Sequence, residues 1–262
     1  MRPEELHKKI LEEYRPFFKQ IGVEKLEELS QMDKIINELS KNDGSLKMIF
    51  DNRNYKILAV SDNIEALTGY TKTEFQNANV MLYFRALEFE HLLAPLILGR
   101  WFNNMFKHIK TLEHVAYHKL QVAYCGIKMK RKNGEKGRTL QRYIPLAISE
   151  TGFPDIALST GDDIKHLLKS DFYWVRLSCG DLPTHKFYYS SADKKTHYQD
   201  IVSEREKDVL RLIMDGLESK EIAQTLFIST HTVENHRRNA IARTGARDTT
   251  ALIQICRMCG IL

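Results

Sequence analysis

The chain has 262 residues, 43% of them hydrophobic and 28% charged, with a formal net charge of +5 at pH 7. This balance suits a globular protein with room for about two domains and excludes an intrinsically disordered chain. No apolar run approaches the roughly eighteen residues a membrane-crossing helix needs, and Met1-Arg-Pro-Glu-Glu lacks the basic-then-apolar order of a signal peptide, so the expected compartment is the cytoplasm with no membrane partner.

Residues 1–45 read as two helices. Leu6, Ile10, Leu11 and Tyr14 repeat at helical spacing until Pro16 breaks the run, and Val23, Leu26, Leu29, Ile36 and Leu39 mark a second helix beyond Gly22. Both are amphipathic and need a partner surface, either the following domain or a second chain.

From Leu46 the apolar period becomes that of extended chain. Leu46–Phe50 and Tyr55–Val60 flank the turn-forming Asp51-Asn-Arg-Asn54, which predicts a hairpin and makes Asp51 a turn residue rather than a phospho-acceptor. Short helical segments follow between Asn63 and about Ile109. Leu120–Lys130 and Thr139–Ser149 then flank Asn133-Gly134, a strong hairpin signal, and Phe153–Ser159 follows Thr151-Gly152. In the third strand the apolar set Leu120, Val122, Tyr124 changes parity to Ile127, Met129 across Gly126, which predicts a bulge there. The basic run Lys128–Arg138 falls at a hairpin tip, where lysines either keep an edge from pairing with other chains or touch DNA phosphates.

Residues 171–201 carry two further extended runs, Phe172–Leu177 and His185–Tyr189, around Gly180-Asp-Leu-Pro183. The polar stretch Ser190–His197 reads as a linker.

Residues 202–262 change to helical signals. Ser203-Glu-Arg-Glu206 is a capping box, Val209, Leu210, Leu212 and Ile213 form the apolar stripe, and Asp215-Gly216 supplies the stop. A second helix begins after Ser219 with Ile222, Ala223 and Leu226 on one face. Phe227-Ile228-Ser229 makes a tight turn, and Ser229 caps a third helix over Thr230–Thr244 with Val233, Ala240 and Ile241 inward. A fourth, Thr249–Cys259, is capped by Asp248. Helix, short turn and polar helix in this order are the logic of the helix-turn-helix.

Ser203-Glu-Arg-Glu206, Val209-Leu210, Gly216, Lys220-Glu-Ile-Ala223, Leu226, Ile228-Ser229, Thr232-Val233, His236, Gly245 and Gly260 together resemble the LuxR-type (NarL/FixJ, GerE) DNA-binding domain. The resemblance implies that the third helix enters the major groove of double-stranded DNA and that the fourth forms a homodimer contact. The DNA-binding set it implies is Lys220, Thr230, Thr232, Glu234, Asn235, His236, Arg237, Arg238 and Arg243. Among these, Glu234, Asn235 and Arg238 match base-reading positions, while Thr232, His236 and Lys220 lie nearer phosphates. Glu234 stands where the family often has a basic residue. A glutamate accepts from cytosine N4, so the preferred site would shift. Residues 203–262 hold nine Lys and Arg against eight Asp and Glu, so positive charge must be local, at Arg237, Arg238, Arg243 and Arg247.

The order two strands, short helices, three strands resembles a PAS domain over roughly Leu46 to His166, with Leu67-Thr-Gly-Tyr70 and Glu74-Phe75 the best-matching residues and Ser61 where many members have asparagine. The implied fold class is α+β. It comprises a PAS-like antiparallel five-stranded sheet with helices (46–170), preceded by two N-terminal helices (1–45) and followed, after an extra hairpin and linker (171–201), by an all-α four-helix domain (202–262).

PAS domains sense or dimerise, and a small molecule can sit between sheet and helices. Asn77–Phe84 lacks the reactive cysteine of a light-sensing flavin domain. His91, His108, His114 and His118 are either axial haem ligands or surface residues. Tyr83, Phe84, Phe89, Trp101, Phe102 and Phe106 line a pocket or fill a core. No cofactor is assigned.

Cys125, Cys179, Cys256 and Cys259 are expected to be reduced thiols in the cytoplasm, and the Cys256/Cys259 pair has no second ligand pair to complete a zinc site. No nucleotide-binding, hydrolase, metalloprotease or kinase motif occurs, so no catalytic residue is nominated and no enzyme activity is expected. The expected function is a dimeric transcription regulator reading a pseudo-palindromic site, with RNA polymerase a further partner. The alternative is a PAS-based interaction module whose helix-turn-helix is a docking surface.

Overall fold

The computed structural model describes residues 44–54, 56–77, 120–148, 154–179 and 186–262, with 36–37, 40–41, 82 and 86–87. Apart from residues 36–37 and 40–41, which are helical, the expected N-terminal helices lie outside the described residues. So do His91, His108, His114 and His118, the aromatic residues named above, and the turn at Gly180–Pro183. The chain divides into two compact units, Met1–Val122 with Ile127–Asp163 and Ala123–Gly126 with Ile164–Leu262. Among the described residues no helix is long and apolar enough to cross a membrane.

The first unit is built on an antiparallel sheet with strands β1 (Leu46–Asp51), β2 (Lys56–Val60), β3 (Leu120–Lys130), β4 (Lys136–Ile148) and β5 (Pro154–Asp163). Two short helices, α1 (Ile64–Thr68) and α2 (Lys72–Asn77), follow β2. In space the order is β2-β1-β5-β4, with β3 beside β4. The alternation of β1 decides the packing, since successive side chains point to opposite faces. Leu46, Met48 and Phe50 join Ile57, Val60, Ile64 and Phe75 in one buried cluster, whereas Ile49 joins Ile36, Ala59 and Ile156 in another.

Gly126 takes a positive φ of 80° inside β3, where the apolar parity changes. The β3–β4 connection closes with Arg131 N–H on the Glu135 carbonyl and Gly134 at φ 89°. Its basic tip is exposed, and two of its cations are paired: Lys132 with Glu74 of α2 at 2.6 Å, and Arg131 with Asp163 of β5 at 2.7 Å. Gly69, at φ 76°, ends α1, and a Cβ there would stand 3.2 Å from Lys132 Cβ. The close approach lets Lys132 N–H donate to the Thr68 carbonyl at 2.9 Å. Asp51 is buried and accepts from Arg53 and Asn54, a turn-stabilising arrangement.

The second unit carries Ala123–Gly126, β6 (Trp174–Cys179), β7 (Lys186–Ser190) and β8 (Lys195–His197) in that spatial order, followed by four helices. Ser190–His197, read as linker, instead holds a tight turn and β8. Asp193 Oδ1 accepts from Lys195 N–H at 3.1 Å, and His197 stacks on Tyr188 at 4.5 Å between ring centroids. Polar composition hid the strand because its partners are backbone groups of β7, with Tyr189 opposite Thr196.

The helices are α3 (Glu204–Met214), α4 (Ser219–Leu226), α5 (Thr230–Thr244) and α6 (Thr249–Met258). Ser203 and Glu206 form the expected capping box, and Ser229 and Asp248 cap α5 and α6. α4 starts at Ser219 rather than after it and is capped by Glu218, with Glu221 reaching back to the Glu218 N–H. Val209, Ile222, Ala223 and Val233 form the helical core, and Leu212, Ile213, Leu217, Leu226 and Ile228 pack against it. Burial of each large member contributes roughly 1.5–3 kcal/mol.

Within this unit the helices are fastened to the strand segment. Lys169 N–H donates to the Gly245 carbonyl at 2.9 Å and Arg247 N–H to the Leu167 carbonyl at 2.8 Å, so Leu168 and Ala246 form an antiparallel bridge. Arg176 of β6 pairs with Asp200 at 2.6 Å, and Lys207 of α3 pairs with the same carboxylate at 2.9 Å, all three side chains being buried.

Candidate nucleic-acid interface

The turn before α5 sets the candidate site. Phe227 adopts a left-handed conformation (φ 55°, ψ 45°) that ends α4, and the chain re-enters a helix two residues later at Ser229. The Ser229 hydroxyl accepts from Thr232 N–H at 3.0 Å and shares a hydrogen bond with Thr232 Oγ1 at 2.8 Å. No acidic side chain lies in the first turn of α5, so the helix's own opening residues do not neutralise its positive dipole end.

At 3.6 residues per turn, α5 presents distinct faces. Val233, Ala240 and Thr244 are buried, with Thr244 taking the place expected of Ile241, which is half-buried. On the opposite side, His231, Glu234, Asn235 and Arg238 fall in one stripe, at intervals of three and four. His231 was absent from the expected set, although it is exposed and its spacing to Asn235 and Arg238 marks it. Thr230 and Arg238 are exposed, and Thr232, Asn235 and His236 are partly exposed. Lys220 is exposed on the first turn of α4.

Arg243 does not join this set. Its guanidinium grips both Glu206 oxygens at 2.5 and 3.0 Å and donates to the Ile201 carbonyl at 2.7 Å. Burial works to raise the Glu206 pKa, but Arg243 and the Ser203 N–H hold it below the usual carboxylate range. An arginine committed to a buried carboxylate is a structural tie between α3 and α5.

Arg237 is also engaged. It donates to Glu234 Oε1 at 2.9 Å and to Thr249 Oγ1 at 3.0 Å. Glu234 additionally accepts from the Ser219 hydroxyl at 2.5 Å. Together the hydroxyl and the guanidinium hold the Glu234 pKa below its ordinary value.

Pairing settles where positive charge stays available. Arg205 and Arg211 meet Asp208, Lys207 meets Asp200 and Glu204, and Arg247 meets Asp248. Lys220, Arg238 and Arg257 are the cations of residues 203–262 without an ion pair among the described residues. The local patch expected at Arg237, Arg238, Arg243 and Arg247 therefore contracts to Arg238, with Lys220 on the neighbouring helix.

Cys256 and Cys259 are buried at the end of α6, and burial pushes the Cys256 thiol pKa up. That disfavours the thiolate, the form that binds metal or attacks a disulfide.

Residues 200–256 match the family described as bacterial regulatory proteins, luxR family. The chain is 40% identical over 78 residues to the uncharacterized transcriptional regulatory protein YhcZ of Bacillus subtilis (strain 168), a match covering 29% of this chain and 36% of YhcZ. It thus spans about a third of that relative's length. To the spore germination protein GerE of the same organism it is 34% identical over 67 residues, covering 25% of this chain and 90% of GerE. Among solved structures, the N-terminal domain of a diguanylate cyclase with PAS/PAC sensor from Marinobacter aquaeolei aligns with a TM-score of 0.32 and 11% identity, over 47% of this chain and 96% of that one. With a family match centred on α3 to α6 and nearly all of GerE covered, the chain belongs to the LuxR family of bacterial regulatory proteins.

Proposed function

We propose that this protein is a cytoplasmic, homodimeric transcription regulator that reads a pseudo-palindromic site in double-stranded DNA with α5, under the control of a PAS-like sensory unit. The observation that carries the reading is Arg238, an exposed and unpaired guanidinium opposite the buried face of a capped helix. A guanidinium so placed suits bidentate contact with guanine O6 and N7. Asn235, one turn earlier on the same stripe, suits adenine.

The phosphate contacts fall to Lys220, Thr230, Thr232, His236 and the N-terminal amides of α5. So few contacts give weak binding from one domain, which is why the reading includes a dimer. For the first unit, support comes from the chain order of β1, β2, short helices, β3, β4 and β5, with Leu67–Tyr70 at the end of α1. A small-molecule ligand there and RNA polymerase as a further partner complete the proposal.

Selection of bound duplexes from a random pool with the full chain tests it. The expected result is an enriched site with two related half-sites, lost or altered at one position by Arg238→Ala. Enrichment of no sequence by the wild-type chain would leave the helix-turn-helix as a protein-docking surface.

A further inference from the structure

We infer that Glu234 and Arg237 are not base readers but one positioning unit, which locks the register of α5 against α4 and α6 and leaves specificity to Asn235, Arg238 and His231. The inference rests on the reading of α5 as the DNA-reading helix.

Four side chains from three helices meet at this point. Glu234 Oε1 accepts from Ser219 Oγ at 2.5 Å and from Arg237 Nη1 at 2.9 Å, and Oε2 lies 3.2 Å from the same nitrogen. Arg237 also reaches Ser219 Oγ at 3.3 Å through Nη1, and Thr249 Oγ1 at 3.0 Å through Nη2 and 3.3 Å through Nε. Ser219 is the first residue of α4 and Thr249 the first of α6, so a single guanidinium–carboxylate pair joins the starts of both helices to the middle of α5.

The chemistry of each group fits holding rather than reading. A carboxylate accepts and cannot donate, and the shared oxygen of Glu234 already takes two donors. Oε2 makes only the 3.2 Å contact, and its remaining acceptor capacity is why the test below includes Glu234→Ala; against its use on a base stands the negative DNA backbone, which resists the approach of a carboxylate. Arg237 uses the planar fork of its donors to bridge two helices, a geometry lysine cannot copy. Arg238, one turn on from Glu234 and exposed, feels the Glu234 charge but makes no hydrogen bond or ion pair of this kind among the described residues.

The test compares full-length wild type, Glu234→Gln, Glu234→Ala, Arg237→Lys, Glu234→Ala/Arg237→Lys and Arg238→Ala by duplex selection and binding titration, with thermal melts to confirm folding. The Gln variant keeps the shape of Glu234 and guards against a folding defect. Loss of either partner is expected to leave the enriched site unchanged and to weaken binding to all sequences alike, by roughly three- to tenfold for hydrogen bonds of this kind. The double variant should be no weaker than either single one. Relaxed preference at a single base pair with Glu234→Ala, in a site that Arg237→Lys preserves, overturns the inference, because it identifies Glu234 as a direct reader. A wild-type chain that enriches nothing, with Arg238→Ala indistinguishable from it, refutes the DNA reading itself and this inference with it.

Discussion

The indole N–H of Trp174, the first residue of β6, donates to the carbonyl of Thr244, the last residue of α5, at 2.9 Å. The last carbonyls of a helix have no intrahelical donor, and here a side chain 70 residues upstream supplies one in a buried setting. Trp174→Phe keeps most of the ring and deletes the donor, leaving a buried carbonyl unpaired. A stability loss of about 1–3 kcal/mol is expected, against about 3–5 kcal/mol for Trp174→Ala, which also opens a cavity. Urea unfolding of the full chain, followed by circular dichroism, measures both. Equal stability of the Phe variant and wild type would mean that the bond contributes nothing.

Gly245 makes that approach possible. It sits at φ 75°, and a Cβ added to it would lie 2.1 Å from Ser170 Oγ and 3.1 Å from Phe172 Cζ. Gly245→Ala therefore combines left-handed strain of about 1–2 kcal/mol with a steric clash. Adding Ser170→Gly removes the nearest atom but not the strain. The double variant should recover part of the loss and no more, which thermal melts of both variants can resolve. Full recovery would show that the backbone conformation costs nothing here.

Much of the helical unit was legible because its signals are local. Ser203 with Glu206, Ser229, and Asp248 are caps whose partners lie three residues away, and the observed α5 runs over Thr230–Thr244 as the spacing indicates. What the local signals do not carry concerns long-range partners. Whether Arg243 reaches DNA depends on Glu206, 37 residues earlier, and no pattern within α5 reveals that pairing. The same holds for β8, whose strand character comes from hydrogen bonding to β7 rather than from apolar alternation. At α4 the cap is Glu218, and the hydroxyl of Ser219, the helix's first residue, is committed to Glu234. In the first unit the β1–β2 and β3–β4 hairpins were readable from turn residues, whereas the docking of Lys132 on Glu74 needed the tertiary structure.

The Arg176–Asp200–Lys207 cluster predicts acid sensitivity. Burial works to raise the Asp200 pKa, but hydrogen bonds and charge from Arg176 and Lys207 bring it from 3.8 down to about 2. A depressed carboxylate pKa contributes stability above its unfolded value, and the contribution is lost as pH falls through the folded value. Stability should thus hold down to about pH 4 and fall between pH 4 and pH 2, with Asp200 contributing about 2 kcal/mol of the change. Asp200→Asn should remove that share of the pH dependence and cost about 3–5 kcal/mol at pH 7, since two buried cations lose their partner. Urea midpoints collected from pH 7 to pH 2 decide the matter. An Asn variant with the wild-type pH slope would place the acid sensitivity elsewhere.

Phe227 offers a test in the stabilising direction. Its side chain is 95% exposed, so truncation removes almost no buried apolar surface. Its φ of 55° puts a bulky residue in the left-handed region, which asparagine and glycine tolerate best. The backbone must turn here, because Phe227 ends α4 and Ser229 already caps α5. Phe227→Gly relieves the strain but loosens the unfolded chain, which offsets part of the gain. Phe227→Asn avoids that penalty and should raise stability by about 0.5–1 kcal/mol. If both variants prove less stable than wild type, the phenyl ring has a partner that exposure in a single chain does not reveal. Repeating the melts over a range of protein concentrations would then show whether that partner is a second copy.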